Sequence, residues 1–269
     1  MGDNASHRGD QPLDGPSAAR MYDYYLGGAH NFTADREAAA KVIEAYPDAP
    51  KVAQANRAFL GRAVGFLLEQ GIRQFLDLGS GIPTAGNVHE VAEATDPGSR
   101  VVYVDIDPVA VAQSELILAG NPNVGVVQAD IRRPDDILAA PVTRTLLDFA
   151  RPIGLLAVAV VPFLNADDDP AGVLARFGGA VPAGSYLAIS HGTPEARPAA
   201  AERSMAAYRD TRDPFTMRTR AEILELLSAW ELVEPGLVWL PEWHPDWPDE
   251  VGRDPSWTQM LCAVGRKAG

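Results

Sequence analysis

From Gly71 to its C-terminus the chain alternates short β-rich runs with helical stretches, and this alternation narrows the available folds more than any other feature. The β-rich runs are Gln74 to Leu78, Arg100 to Val104, Val124 to Gln128, Arg151 to Val161, Ser185 to Ser190, Glu231 to Leu240 and Thr258 to Val264. Between them Ala85 to Thr95, Val109 to Ala119, Pro170 to Phe177 and Thr219 to Trp230 read as helices, the last with Thr219 and Glu222 at capping-box spacing. Strands joined through helices run parallel, so the pattern predicts a doubly wound, mostly parallel α/β sheet of seven strands. Arg151 to Val161 is apolar almost throughout, as a central strand covered on both faces must be.

Two helices precede the first strand. Asp35 to Tyr46 is rich in helix formers, with Thr33 or Asp35 as its cap, and Pro47 stops it. Val52 to Gln70 sets Leu60, Ala63, Val64 and Leu67 on one face and ends at Gly71. Residues 1–16 are polar and aperiodic, a mobile tail; 17–71 read as a helical lid or cap and 72–269 as the core, one domain at 269 residues. A net charge of −13 repels phosphate backbones and anionic membranes, so nucleic acid is an unsuitable partner. Cys262 stands alone, which excludes an intrachain disulfide framework and fits a reducing cytoplasm. The longest apolar run, Pro152 to Leu164, has 13 residues, too few to span a bilayer, and the N-terminus lacks an apolar signal core. The expectation is a cytoplasmic protein without a membrane partner; oligomeric state is open, a homodimer included.

The chemistry concentrates at Phe75-Leu76-Asp77-Leu78-Gly79-Ser80-Gly81-Ile82-Pro83-Thr84. A strand ending in a Gly-x-Gly turn frees backbone N–H groups for a ligand, although a ligand-free tight turn has the same spelling. Asp105 follows Gly81 by 24 residues at the end of the next strand, where a carboxylate can accept from both hydroxyls of a ribose, and Asp130 ends the strand after that. Three strands thus deliver Asp77, Asp105 and Asp130 to one edge, with Ile106 and Ile131 beside the last two. A dinucleotide site needs a third glycine where Thr84 stands, and Asp77 repels a pyrophosphate while suiting a cationic amino-acid group. An NAD-type oxidoreductase is therefore disfavoured.

Asp77-Leu78-Gly79-Ser80-Gly81 resembles the first motif of class I S-adenosylmethionine-dependent methyltransferases. That resemblance implies a Rossmann-like fold, with Gly79, Ser80 and Gly81 under the methionine portion, Asp105 at the ribose and Asp130 by the adenine. The N-terminal string Ala19 to Arg36, with its Tyr-Asp-x-x-Leu-Gly-Gly core, is similar to the hallmark of an actinobacterial family of such methyltransferases, formerly catalogued as a domain of unknown function. Asn56-Arg57-Ala58-Phe59-Leu60, Val102-Tyr103-Val104-Asp105 and Ser190-His191 fit the same family. The resemblance implies an enzyme that binds S-adenosylmethionine, releases S-adenosylhomocysteine and methylates O, N or C of a small-molecule acceptor. The alternative is a non-catalytic sensor of either molecule.

Met21 to Phe32 holds three tyrosines, a Gly-Gly pair, His30 and Asn31. Folded over the sheet edge it makes a lid, whose rings suit a sulfonium and whose Arg20, Asn31 or Arg36 suit a carboxylate; the plainer reading is a helical cap packed on the core. Tyr22 and Asn31 are accordingly cofactor candidates. His191 ends a strand at the ligand edge and is the first candidate for a base, against a structural histidine; Tyr22, Tyr25 and His30 come after it. No histidine has a second ligand at metal-binding spacing, so no metal is expected. Arg197, Arg203, Arg209, Arg212, Arg218 and Arg220 outnumber the acids Glu195, Glu202, Asp210 and Asp213 around them, as an anion-recognising cover or a solvated helix. Trp243, Trp247 and Trp257 suggest a pocket wall or a subunit contact.

Overall fold

The computed structural model describes residues 15–83, 86–209 and 211–269. The predicted tail lies outside them except for its last two residues, as do His7, Thr84, Ala85 and Asp210. Strands β1 (Gln74–Leu78), β2 (Arg100–Asp105), β3 (Val124–Gln128), β4 (Gly154–Val158) and β5 (Tyr186–Gly192) are parallel, and β8 (Met260–Arg266) returns antiparallel beside β5. The order is β3-β2-β1-β4-β5-β8-β6, with β6 (Glu231–Leu232) and β7 (Val238–Trp239) both paired to β8. The sequence predicts one strand from Glu231 to Leu240. The chain instead breaks it with a turn in which Gly236 N–H donates to Val233 O, which accounts for an eighth strand.

Side chains alternate between two apolar layers. Phe75, Val101, Tyr103 and Leu156 face a layer containing α3 (Ala49–Glu69), and Leu76, Val102, Leu155 and Ile189 face the opposite one, which explains the uniform apolarity of the central strands. Cys262 is buried in β8, and burial pushes its thiol well above the ordinary value, consistent with a packing role. β4 is shorter than the apolar run predicts because Ser190, on β5, accepts the Ala159 N–H through both its carbonyl (3.3 Å) and its hydroxyl (2.9 Å). Ala159 adopts φ 56° there and the chain leaves the sheet as a 3₁₀ turn, Val161–Phe163.

The N-terminal segment holds three helices where two were expected: α1 (Ala18–Tyr25), α2 (Thr33–Ala45) and α3. Ser17 caps α1 by accepting from Arg20 N–H. Asp35 sits inside α2, where its carboxylate accepts the N–H of the capping residue Phe32 at 2.8 Å. Helices α4 (Val88–Thr95), α5 (Pro108–Ile117), α8 (Pro170–Ala180) and α10 (Arg220–Leu226) match predicted stretches, and the Thr219–Glu222 capping box is present. Short helices α6 (Pro134–Ala139) and α7 (Pro141–Leu146), and α9 (Pro198–Ala207), carry too little apolar periodicity to be read in advance.

Candidate functional site

A cavity of about 590 Å³, a size usual for small-molecule sites, opens at the carboxyl ends of the parallel strands, between β1 and β4 where the strand order reverses. Its lining divides along the sheet. Over β1, β2 and β3 stand Asp77, Gly79, Ser80, Gly81, Asp105, Ile106, Asp130 and Ile131; over β4, β5 and β8 stand Phe163, Tyr208, Phe215, Met217, Gln259 and Met260. Tyr22 and Tyr25 from α1, Tyr46, and Asn56 and Arg57 from α3 close the remaining side.

The glycine turn departs from expectation in one respect. Its N–H groups are not free: Ser80 N–H donates to Val104 O at 3.0 Å and Gly81 N–H to Asp105 Oδ2 at 2.7 Å. A pyrophosphate therefore finds no amide cradle in those two groups. Gly79 is required by packing, since a Cβ there would stand 2.2 Å from Val160 Cγ2, whereas at Gly81 no atom lies within 4 Å of that position. The second glycine leaves room for a ligand; the first lets the turn after β4 approach.

Asp105 uses both carboxylate oxygens, taking Asp107 N–H at 2.8 Å besides Gly81 N–H, and burial still pushes its pKa up to about 6. Asp77 is pushed higher, to about 7, by burial, with the Arg57 charge opposing the rise and Asp105 adding to it. Asp130 is held by Arg132, whose Nη2 lies 2.6 Å from Oδ2.

Arg57 was not singled out as a ligand-binding residue by sequence reasoning. Its Nε is buried without a hydrogen-bond partner, and its guanidinium carbon lies 5.9 Å from the Tyr22 ring centre. The available signal is one residue away: Asn56 interrupts the buried apolar face of α3 with an amide, which donates to the Tyr22 hydroxyl (3.0 Å) and accepts from Ser190 Oγ (2.6 Å). Tyr22 in turn donates to Ala53 O, and burial raises its pKa.

Several expected residues lie elsewhere. His191 is wholly buried; Nδ1–H donates to Gly192 O (2.8 Å) and Nε2 accepts from Arg218 Nη1 (2.9 Å). Desolvation lowers its pKa to about 4, so it is a neutral structural histidine rather than a base at the cavity. Arg218, from the arginine-rich stretch, also donates to Leu164 O and thereby clamps the segment before α10 over β4 and β5. Asn31 does not reach the cavity, because its amide is spent on Asp23 Oδ2 (2.8 Å) and Gly28 O (2.9 Å). Arg36 donates to Asn31 O and Thr33 Oγ1. Arg20, 2% exposed, lies between Asp35 (2.8 Å) and Asp107 (2.6 Å), a buried ion triad that ties α1 to the sheet edge. Trp243 packs between Phe59 and Phe66 and stacks on His244, and Trp247 is exposed, so the tryptophans do not line the cavity, which is reached only by the residues that follow them, Thr258 to Met260. Among the described residues no helix is long and apolar enough to cross a membrane.

A family profile described as S-adenosyl methyltransferase matches residues 6–268. No curated protein sequence matches. Among solved structures, a DUF574 family protein from Streptomyces avermitilis is 42% identical, with a TM-score of 0.90, over 94% of this chain and 98% of its own. A candidate methyltransferase from Thermobifida fusca is 39% identical, with a TM-score of 0.90, over 96% of this chain and 97% of its own. Human N-acetylserotonin methyltransferase, 14% identical with a TM-score of 0.51 over 93% of this chain and 70% of its own, shares the fold. The family and the fold agree with the acidic, strand-end crevice, and the chain belongs to the S-adenosyl methyltransferase family as an S-adenosylmethionine-dependent methyltransferase.

Proposed function

We propose that S-adenosylmethionine lies across the ends of β1, β2 and β3, and that a small-molecule acceptor enters over β4, β5 and β8. The observation that carries this reading is the division of one cavity into an acidic half and an aromatic half at the β1–β4 reversal. The acidic half fits the cofactor. Asp77, buried with its ionisation opposed, and Arg57, with an unpaired Nε, suit the ammonium and carboxylate of an amino-acid end, and the open space at Gly81 lets the ligand pass close to the backbone. Asp105 suits the ribose hydroxyls, and Ile106, Ile131 and Asp130 suit the adenine face and its amino edge.

When bound, the cofactor supplies a methyl group activated by a sulfonium. The chain's own contribution is alignment and exclusion of water, for which the rings of Tyr22, Tyr25 and Tyr208 provide a wall with hydroxyls already tied to protein partners. His191 seats Arg218 and takes no proton from the acceptor in this scheme, because both ring nitrogens are engaged. Helices α1 to α3 form the roof of the cavity, and the Arg20 triad fixes their position.

Titration calorimetry with S-adenosylhomocysteine tests the placement. Replacing Asp105 with Ala removes charge-assisted contacts worth roughly 1.5 to 3 kcal/mol, about a 10- to 100-fold loss of affinity. Unchanged affinity in a folded Asp105→Ala protein would mean that the cofactor lies elsewhere.

A further inference from the structure

The aromatic half of the cavity contains two buried polar side chains that the protein leaves unsatisfied. Gln259, 1% exposed, lines the cavity with neither Nε2 nor Oε1 in a hydrogen bond of good geometry, although the amide lies beside the Tyr46 hydroxyl, whose own proton goes to Trp257 O. Ser204 of α9, 4% exposed, presents an Oγ that also lacks a partner. A buried amide with both ends unpaired is costly, and so is the left-handed backbone, φ 50°, that Gln259 adopts immediately before β8. Its main chain is held on both sides, with N–H donating to Ser256 O (3.0 Å) and C=O accepting from Thr193 N–H (2.9 Å), which fixes the backbone of the residue at the cavity wall.

The surroundings define what the amide can read. Tyr208, Phe215, Met217 and Met260 are neutral and mostly flat or pliable, and Tyr208 and Phe215 lie 5.4 Å apart with an interplanar angle of 32°. The charged groups of the same segment are engaged or exposed: Arg212 pairs with Asp107 (3.5 Å) and Asp213 (3.8 Å), and Arg209 is exposed. A carboxamide offers one donor and one acceptor side by side, and a single planar group with the complementary pair satisfies both at once, as Gln does with a base edge.

We infer that Gln259 is the acceptor-recognition residue, and that the acceptor is a neutral, planar aromatic molecule with an adjacent N–H and C=O, a lactam or carboxamide edge, paired reciprocally with the Gln259 amide. The inference rests on the cofactor occupying the acidic half. Ser204 Oγ is placed to supply a further hydrogen bond from α9.

The test uses the full chain saturated with S-adenosylhomocysteine and two probes of nearly equal size, 2-quinolone and 2-methoxyquinoline, titrated by calorimetry. The lactam completes the reciprocal pair; the methyl ether has no N–H and cannot. Loss of one or two neutral hydrogen bonds predicts that 2-methoxyquinoline binds the wild-type protein about tenfold or more weakly. In Gln259→Leu, 2-quinolone falls to the level of the ether while S-adenosylhomocysteine affinity stays unchanged. Equal affinity of the two probes for wild-type protein, no binding of 2-quinolone up to about 1 mM, or full retention in Gln259→Leu overturns the inference. The wild-type comparison holds even if Gln259→Leu does not fold. Failure of S-adenosylhomocysteine itself to bind overturns the cofactor placement and this inference together, whereas cofactor binding without probe discrimination overturns this inference alone.

Discussion

Cofactor affinity is expected to depend on pH through two carboxylates that the apo fold holds partly protonated. Asp77 titrates near 7 and Asp105 near 6, both raised by burial. A bound ammonium beside Asp77 and ribose hydroxyls donating to Asp105 favour the anions, so both values fall on binding and protons are released. For both pKa values dropping to about 4 or lower in the complex, affinity falls between pH 7 and pH 6 about fivefold through Asp77 and about twofold through Asp105, together about tenfold or about 1.4 kcal/mol. The window matters because an α-amino group titrates near 7.7 to 8.0 and stays mostly protonated below pH 7. Calorimetry with S-adenosylhomocysteine in two buffers of different ionisation enthalpy should report release of roughly half a proton at pH 7 and more than one at pH 6. Asp77→Asn should leave only the twofold dependence of Asp105. A pH-independent affinity, or a full tenfold slope surviving in Asp77→Asn, would refute the assignment of Asp77 to the cationic end of the ligand.

The same burial makes a stability prediction of opposite sign to the usual carboxylate case. Asp77 has a folded pKa raised from 3.8 to about 7, so the fold is favoured while the group is protonated and loses stability as pH rises from about 3.8 to about 7, by an amount on the order of 4 kcal/mol in all. Asp77→Asn should therefore raise the Tm of the ligand-free protein at pH 8, and by less at pH 5; a lowered Tm at pH 8 would contradict this. Arg20→Met leaves Asp35 buried without its cation and Asp107 with only Arg212 at 3.5 Å, and should cost about 3 to 5 kcal/mol in urea unfolding, while a cost under about 1 would show the triad to be dispensable. His191, with its folded pKa lowered to about 4, should stay the Nδ1–H tautomer in nitrogen NMR from pH 8 to pH 5, and a titration near 6.5 would reopen its candidacy as a base. Its linkage favours the fold above pH 6.5 and fades as pH falls from there toward 4.

What could be read from the sequence was what short-range patterns encode. The strands from Gln74 to Gln128, the Thr219 capping box and the delivery of Asp77, Asp105 and Asp130 to one edge follow from periodicity and spacing, because each depends on neighbours in the chain. The roles of Arg20 and His191 depend on partners far away: Arg20 meets Asp107 across 87 positions, and His191 meets Arg218 across 27. Both had attractive local readings, a carboxylate clamp and a base, and both were overturned by a partner that occupies the very atoms a ligand would need. Gln259 was hidden for another reason. Nothing in Ser256-Trp257-Thr258-Gln259-Met260 announces a left-handed residue, since the conformation is imposed by the Ser256 and Thr193 contacts.

Comparing how the buried acids are compensated gives a way to separate structural from ligand-binding groups. Asp35 and Asp107 share Arg20, and Asp107 also caps α5 through the N–H groups of Val109 and Ala110. Asp23 accepts from His30 N–H and the Asn31 amide at Oδ2, while its Oδ1 has no hydrogen bond and lies 3.8 Å from His30 Nδ1. Asp105 receives two backbone N–H groups, yet its pKa remains raised. For Asp77 the relief from burial is the charge of Arg57, and its pKa is raised further than that of Asp105. A carboxylate that the fold has fully compensated is part of the scaffold, and one left protonated for want of donors is a binding group waiting for a cation. The same criterion selects Arg57 Nε and Arg212 Nη2 among the cavity guanidiniums, the latter 3.5 Å from Asp107 Oδ2, and Gln259 among the amides, with Arg57 and Gln259 on opposite sides of the β1–β4 reversal. Unsatisfied groups are thus distributed as two ligands meeting at a sulfonium would require, with opposite charges for a zwitterion on the acidic side and a neutral donor–acceptor pair on the aromatic side.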